Sequence, residues 1–236
     1  MNHARRVTCA AVGLPCAFAW GCLPSARIVS RLWGAGDIVT AGDGKPGAAN
    51  VAHTLGRGAG AATLAADMAK GIAPAALAWR CGAWPNLTYA CAVAPVVGHV
   101  GVVRGRGAAT ALGAALAIDA PATALVLPAV IGGALSKRAG LGAMVAALGL
   151  PVVSLVLGRR GRAAWCATLP AILAYARLRG GDGSGPLTAR VAWERFWYDR
   201  EPGDGGDDSA AVAGAATTVA AAGRTADDTA VSEEAR

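Results

Sequence analysis

The chain alternates apolar runs with short polar gaps rich in arginine and glycine. After Arg5 and Arg6, an apolar run covers residues 7–20 and continues through Gly21-Cys22-Leu23-Pro24 towards Val29. Further runs cover 59–79, 87–103, 108–118, 122–135, 141–157 and 163–178. A helix needs about 20 mainly apolar residues to cross a bilayer, so a chain of this length holds roughly six or seven such segments with short loops and a tail. The pattern predicts an all-α fold, a polytopic membrane helical bundle of about six or seven transmembrane or half-membrane helices. The apolar sequence breaks at Asp119-Ala120-Pro121 between runs 108–118 and 122–135; several of the runs are short for full spans, and some are expected as half-helices or tilted hairpins buried among neighbours. The first run has the charged and apolar regions of a signal peptide. Its continuation to Val29, and the similar segments after it, favour a retained first helix.

Composition strengthens the membrane reading and removes others. Hydrophobic residues make up 54% of the 236 residues and charged residues only 16%, against about 25% charged in a soluble domain, and mean hydropathy is +0.43. No large soluble catalytic domain fits beside these segments. The apolar residues are mostly Ala, Val, Leu and Gly, small enough to let helices in lipid approach closely. The net charge of +7 does not mark a nucleic-acid binder, because Lys and Arg are spread over the gaps instead of forming one basic face. Loop charge sets orientation instead: the positive-inside rule puts connections 27–57, 104–106 and 137–138 on the cytoplasmic side of the cell membrane. Alternation then sends Arg80 and the cluster Arg159, Arg160 and Arg162 outside, where that cluster breaks the rule. Either the last two runs form a re-entrant hairpin or this loop is an exception. The exception is preferred because it keeps Arg177, Arg179 and Arg190 inside. The cysteines at 9, 16, 22, 81, 91 and 166 form no CxxC pair and sit mostly in apolar runs, as buried free thiols do; no metal or cofactor is expected.

From Gly180 onward the chain becomes Gly, Asp, Ser, Thr and Ala and lacks the apolar content of a core. The expected organisation is an integral-membrane domain over 1–179 and a polar, largely disordered cytoplasmic tail over 180–236. Within that tail Trp193, Phe196 and Trp197 recur at helical spacing beside Arg190, Arg195 and Arg200. This suits an interfacial helix near 190–199, or a loose aromatic cluster.

Candidate chemistry lies in and beside the polar gaps. Gly42-Asp43-Gly44-Lys45-Pro46-Gly47-Ala48-Ala49-Asn50 is a glycine-rich loop between two membrane segments. Glycines let backbone N–H groups turn towards an anion, and Lys45 adds positive charge. Such a loop beside a bilayer points to a phosphorylated, lipid-linked substrate, although glycine loops also serve as plain connectors. Asp67 and Lys70, three apart, share one helical face inside a span, as an ion pair or as part of a site. His99 is either a helix-end residue bonded to backbone or a substrate contact. Arg104 and Arg106 can serve as flanking loop charges, while the setting between Gly105 and Gly107 points Arg106 to phosphate. Asn50 can also simply cap the helix that follows it.

Taken in order, these motifs resemble the PlsY family, integral-membrane acyl-phosphate:glycerol-3-phosphate acyltransferases. Gly21-Cys22-Leu23-Pro24 is similar to the family's Gly-Ser-Ile-Pro, and Gly36-Asp37-Ile38 to its Gly-x-Asp-Ile. Residues 42–51 resemble Gly-Ser-Gly-Asn-Pro-Gly-Ala-x-Asn-Val, followed by Thr54-Leu55-Gly56. Asp67-Met68-Ala69-Lys70-Gly71, Gly98-His99 and the stretch 105–113 match three further motifs, and the likeness covers roughly 21–151. It implies transfer of a fatty acyl group from acyl phosphate to glycerol 3-phosphate, with membrane lipids as surroundings. It also implies catalytic roles for Arg106, Lys45 and His53, and substrate or phosphate binding by Gly42, Gly44, Gly47, Asn50, Asp67, Lys70, His99, Gly105 and Gly107. Departures are specific. Asp43, Lys45, His53 and Arg106 stand where the family has Ser, Asn, Arg and Lys, and Gly140-Leu141-Gly142-Ala143 lacks the hydroxyls of a Ser-Leu-Gly-Ser region. The family's later His-Arg-x-Asn and Gly-x-Glu have only a loose echo at 175–182. The alternative is a degenerate member that binds lipid phosphate or supports another membrane enzyme. A transporter would show internal repeats with matching broken helices, and none is visible.

Overall fold

The computed structural model describes residues 3–180 and 186–199, which form helices and connecting turns with no strand among them. The expected disorder after residue 200 lies outside the described residues. The helices are α1 (His3–Gly21), α2 (Ser25–Leu32), α3 (Ala48–Leu55), α4 (Arg57–Arg80), α5 (Pro85–Gly101), α6 (Ala108–Leu135), α7 (Ala139–Val156), α8 (Arg160–Cys166), α9 (Thr168–Leu178) and α10 (Ala189–Tyr198). Among the described residues α5, α6 and α7 are long and apolar enough to cross a membrane alone, and the α1–α2 pair, bent by 47°, makes a fourth such segment. The bend falls at Leu23-Pro24, where proline lacks the N–H that would continue the helix. α4 has the length of a span but carries Asp67 and Lys70 at its middle.

Small residues set the helix contacts. Gly71 of α4 lies against the backbone of Thr110 and Ala114 in α6, and Gly113 of α6 lies against the backbone of Met68, so a methyl group at either glycine would collide with main chain. Close backbone approach of this kind lets helices associate in lipid, where water no longer drives apolar surfaces together. The largest buried cluster joins Ala75, Ala92, Val96, Ala114, Ile118, Met144, Leu150, Leu169 and Leu173, from α4, α5, α6, α7 and α9. Phe196 and Trp197 of α10 pack on its edge, so α10 is docked on the bundle rather than extended from it.

The break expected at Asp119 is present: its backbone is non-helical (φ −149°, ψ 80°) within α6. Pro121, two residues on, cannot donate to the preceding turn and crowds the carbonyl four residues before it. The two limbs of α6 fold back on each other. Asp199 pairs with Arg106, just before α6, and lies beside Gly140, just after it, where an added Cβ would stand 3.1 Å from the Asp199 Cβ. Both limbs also line one cavity, whereas the ends of a straight helix of this length would stand roughly 40 Å apart. The last apolar run, expected as one piece, divides at Ala167 into α8 and α9.

Candidate active site

The glycine-rich loop is shaped by its own side chains. Gly42 (φ +61°) and Gly44 (φ +69°) adopt left-handed conformations that other residues take at a cost. At Gly42 there is also no room, since a Cβ would collide with the Asn50 amide. Asn50 organises the turn: its Nδ2 donates to the carbonyls of Ile38 (3.2 Å), Ala41 (3.0 Å) and Lys45 (3.1 Å), and its Oδ1 accepts from Asp43 N (3.2 Å). The N-cap of α3 is Gly47. Asn50 therefore neither caps that helix nor keeps its amide for a ligand. Asp43, an awkward charge in an anion loop, accepts the Lys45 backbone N–H at 3.0 Å and tightens the turn.

Beneath this loop lies a buried polar knot. Lys70 Nζ donates to Asp67 Oδ1 (2.8 Å), Ser25 Oγ (2.9 Å) and the Leu23 carbonyl (2.6 Å), and Ser25 Oγ donates to Asp67. His99 Nδ1 stands 3.4 Å from Lys70 Nζ and 3.7 Å from Asp67 Oδ1. All four side chains are buried. The knot ties α2, α4 and α5 together, with every ammonium proton provided for. Gly105 packs against the Nε2 edge of the His99 imidazole, where any side chain would collide.

A cavity of about 360 Å³ opens above the knot. Its polar end is formed by Asp43, Lys45, Gly47, Asn50, Asp67, His99, Arg106, Gly107, Arg177 and Asp199, and its apolar wall by Leu112, Ala115, Val126, Val130, Ala146, Leu150, Leu169 and Leu173. Arg106 Nε lies 2.8 Å from Asp199 Oδ1 and its Nη1 donates to the Ala176 carbonyl at 2.9 Å. Lys45 Nζ donates to the Asp199 carbonyl at 2.9 Å. Arg177, 2% exposed, donates to the carbonyls of Phe196 (2.7 Å) and Gly140 (2.8 Å). Burial pushes the Asp199 carboxyl above the ordinary aspartate range, against the pull of Arg106, Lys45 and Arg177.

Of the residues singled out in the sequence, Lys45, Gly47, Asn50, Asp67, His99, Arg106 and Gly107 meet at this cavity. Gly107 caps α6 in a left-handed conformation (φ +75°). Others do not reach the wall. Lys70 is spent inside the knot, Gly42 and Gly44 shape the loop from behind, and Gly105 seats His99. His53, expected to be catalytic, is exposed on α3 outside the cavity. It lies in the last turn of α3, on a face exposed rather than turned to the cavity. Sequence reading passed over Arg177 and Asp199 as cavity residues. The signal at Arg177 was an arginine closing an apolar run; Asp199 carried none, because its place depends on how α10 docks. With no hydroxyl at Gly140 or Ala143, it is the Gly140 backbone carbonyl that serves Arg177.

Fold and cavity together define a class, a polytopic helical membrane protein with cations at one end of a chamber and an apolar wall along it. The chain belongs to the glycerol-3-phosphate acyltransferase family, whose model matches residues 11–180. It is 36% identical over 163 residues to the glycerol-3-phosphate acyltransferase of Methylorubrum populi, covering 66% of this chain and 79% of that protein. With the Thioalkalivibrio sulfidiphilus relative it shares 37% over 170 residues, covering 69% of this chain and 83% of that one. The match to the Rubrobacter xylanophilus relative, 41% over 106 residues, spans 53% of that protein. The crystal structure of PlsY, an integral membrane glycerol 3-phosphate acyltransferase, in its glycerol 3-phosphate form, has a TM-score of 0.66 at 24% identity, covering 82% of this chain and 94% of that chain. The chain is thus an integral-membrane acyltransferase of phospholipid synthesis, acylating glycerol 3-phosphate.

Proposed function

We propose that the acyl donor is acyl phosphate and that transfer takes place in the cavity between α4, α6, α7 and α9. The observation that carries this reading is the meeting of Lys45, Arg106 and Arg177 around Asp199 on a cavity whose lining is otherwise mostly apolar. The cations hold phosphate, with Arg106 offering the fork that suits it. The backbone at Gly47 and Gly107 lets the ligand approach closely, and the acyl chain lies along Leu112, Val126, Leu150 and Leu173. The glycerol 1-hydroxyl oxygen attacks the acyl carbon, an ester C–O bond forms, and the bond from that carbon to the phosphate oxygen breaks. The leaving phosphate takes the electron pair and ends with the hydroxyl proton. Acyl phosphate is already activated, so the protein's part is to align two anionic reactants and offset charge on the leaving group. No nucleophilic side chain is needed. Basic residues in the loops around the cavity support a site at the cytoplasmic face of the cell membrane, by the positive-inside rule.

The test is phosphate release from acyl phosphate by the purified protein in detergent. Release that requires glycerol 3-phosphate and yields lysophosphatidate is the expected result. Release with water alone, or transfer only from a thioester donor, overturns the reading.

A further inference from the structure

The cations at the mouth of the cavity already face an anion supplied by the chain itself. Asp199 follows the last residue of α10, and its carboxylate lies 2.8 Å from Arg106 Nε. Its own carbonyl accepts Lys45 Nζ at 2.9 Å, and one turn earlier the Phe196 carbonyl accepts Arg177. All three cations that the phosphate reading requires are therefore engaged by one short stretch of backbone and one carboxylate. The stretch is held in place from both sides. Phe196 and Trp197 pack on the core, and Asp199 closes the helix in a left-handed conformation (φ 56°, ψ 35°) that L-residues adopt at a cost. Burying a carboxylate so, with Asp43 also on the cavity wall, is unfavourable unless the cations offset it.

We propose that Asp199 is a gating and specificity-determining residue: before substrate binds, its carboxylate occupies the position of a substrate phosphate. Phosphate then enters by displacing the carboxylate from Arg106 and the Asp199 carbonyl from Lys45, which loosens the last turn of α10. A phosphate dianion offers more charge and more acceptor oxygens to an arginine fork than one carboxylate does. The exchange therefore runs forward for phosphate esters and fails for singly charged acids of similar size. Asp199 touches the phosphate-binding cations and not the reacting carbon, so its effect falls on binding rather than on the chemical step.

This inference rests on the phosphate reading of Lys45, Arg106 and Arg177, and the experiment separates the two. Binding of glycerol 3-phosphate and of inorganic phosphate is measured on the full-length protein in detergent for the wild type, Asp199→Asn and Arg106→Ala. Asp199→Asn keeps the size of the side chain and removes the competing charge. It is expected to tighten both ligands about three- to tenfold and to lower KM for glycerol 3-phosphate with kcat little changed. Hydrogen exchange over 195–199 in the wild type is expected to quicken when glycerol 3-phosphate saturates. If Arg106→Ala loses binding while Asp199→Asn binds no more tightly, or loses kcat, the gate is wrong and the phosphate site stands. If exchange over 195–199 is unchanged by ligand, displacement is wrong. If Arg106→Ala binds both ligands as the wild type does, the phosphate reading fails and the gate fails with it.

Discussion

Arg106 and Lys70 are both cations in family motifs, yet their surroundings give them different work. Arg106 lines the cavity with its guanidinium turned to Asp199 and the end of α9. Replacing it with Ala is expected to lower kcat/KM by about ten- to a hundredfold, the worth of one charge-assisted contact, while Arg106→Lys loses much less. Equal activity of Arg106→Ala in steady-state assays of equally inserted protein would remove the second glycine loop from the phosphate site. Lys70 is sealed among Asp67, Ser25 and Leu23. Lys70→Ala would strand a buried carboxylate, which costs about 3–5 kcal/mol. The expected result is a lowered melting temperature in detergent, with KM for glycerol 3-phosphate moved little in whatever protein still folds. A selective rise in that KM would put Lys70 back among the ligand contacts.

At the scale of elements, α6 and its break explain a charge pattern that the positive-inside rule leaves over. Asp119, fully buried, pairs with Arg159, and Arg162 Nη1 lies 3.9 Å from the same carboxylate oxygen. Two arginines of the cluster that breaks the rule thus serve a buried acid at the tip of the folded-back helix. They tie that tip to the α7–α8 connection and to the start of α8. An intramembrane carboxylate is tolerated when paired this way. Arg159→Ala is expected to lower the melting temperature by several degrees, and Arg159→Lys to recover most of it. Thermal scans of the purified variants check this, and an unchanged Arg159→Ala would mean that the pair contributes nothing to holding the hairpin. The break itself depends on Pro121, so Asp119→Asn should keep both limbs of α6 while losing the pairing.

For the molecule as a whole, the alternation of apolar runs and basic gaps predicts fractionation with membranes and release by detergent only; recovery as a soluble monomer would sink that reading. Removal of residues after 200 is expected to leave insertion and acyl transfer intact, because the sequence there has too few large apolar residues to add to a core. Activity lost on that cut, in protein still inserted, would give those residues a role at the cavity mouth. The apolar segments, the break at Asp119-Ala120-Pro121 and the family motifs were legible in the sequence because each rests on local chemistry, whereas α3 and the division of the last run at Ala167 were not. Apolar length sets a span, proline interrupts a helix, and glycine spacing sets a turn. Residues close in sequence to a motif, such as Lys45 and Arg106, could be picked out for the same reason. What only the tertiary structure decided was which side chains face one another across the bundle. His53 lies two turns from Lys45 in sequence terms but on an exposed helix surface, and Lys70 is taken up by Leu23, Ser25 and Asp67. Arg177 and Asp199 reach the cavity through the docking of α9 and α10, and Arg159 finds Asp119 from 40 residues away. Local sequence determines the elements and the charges they carry; in a bundle of small residues, the close approach of distant backbones determines which of those charges meet.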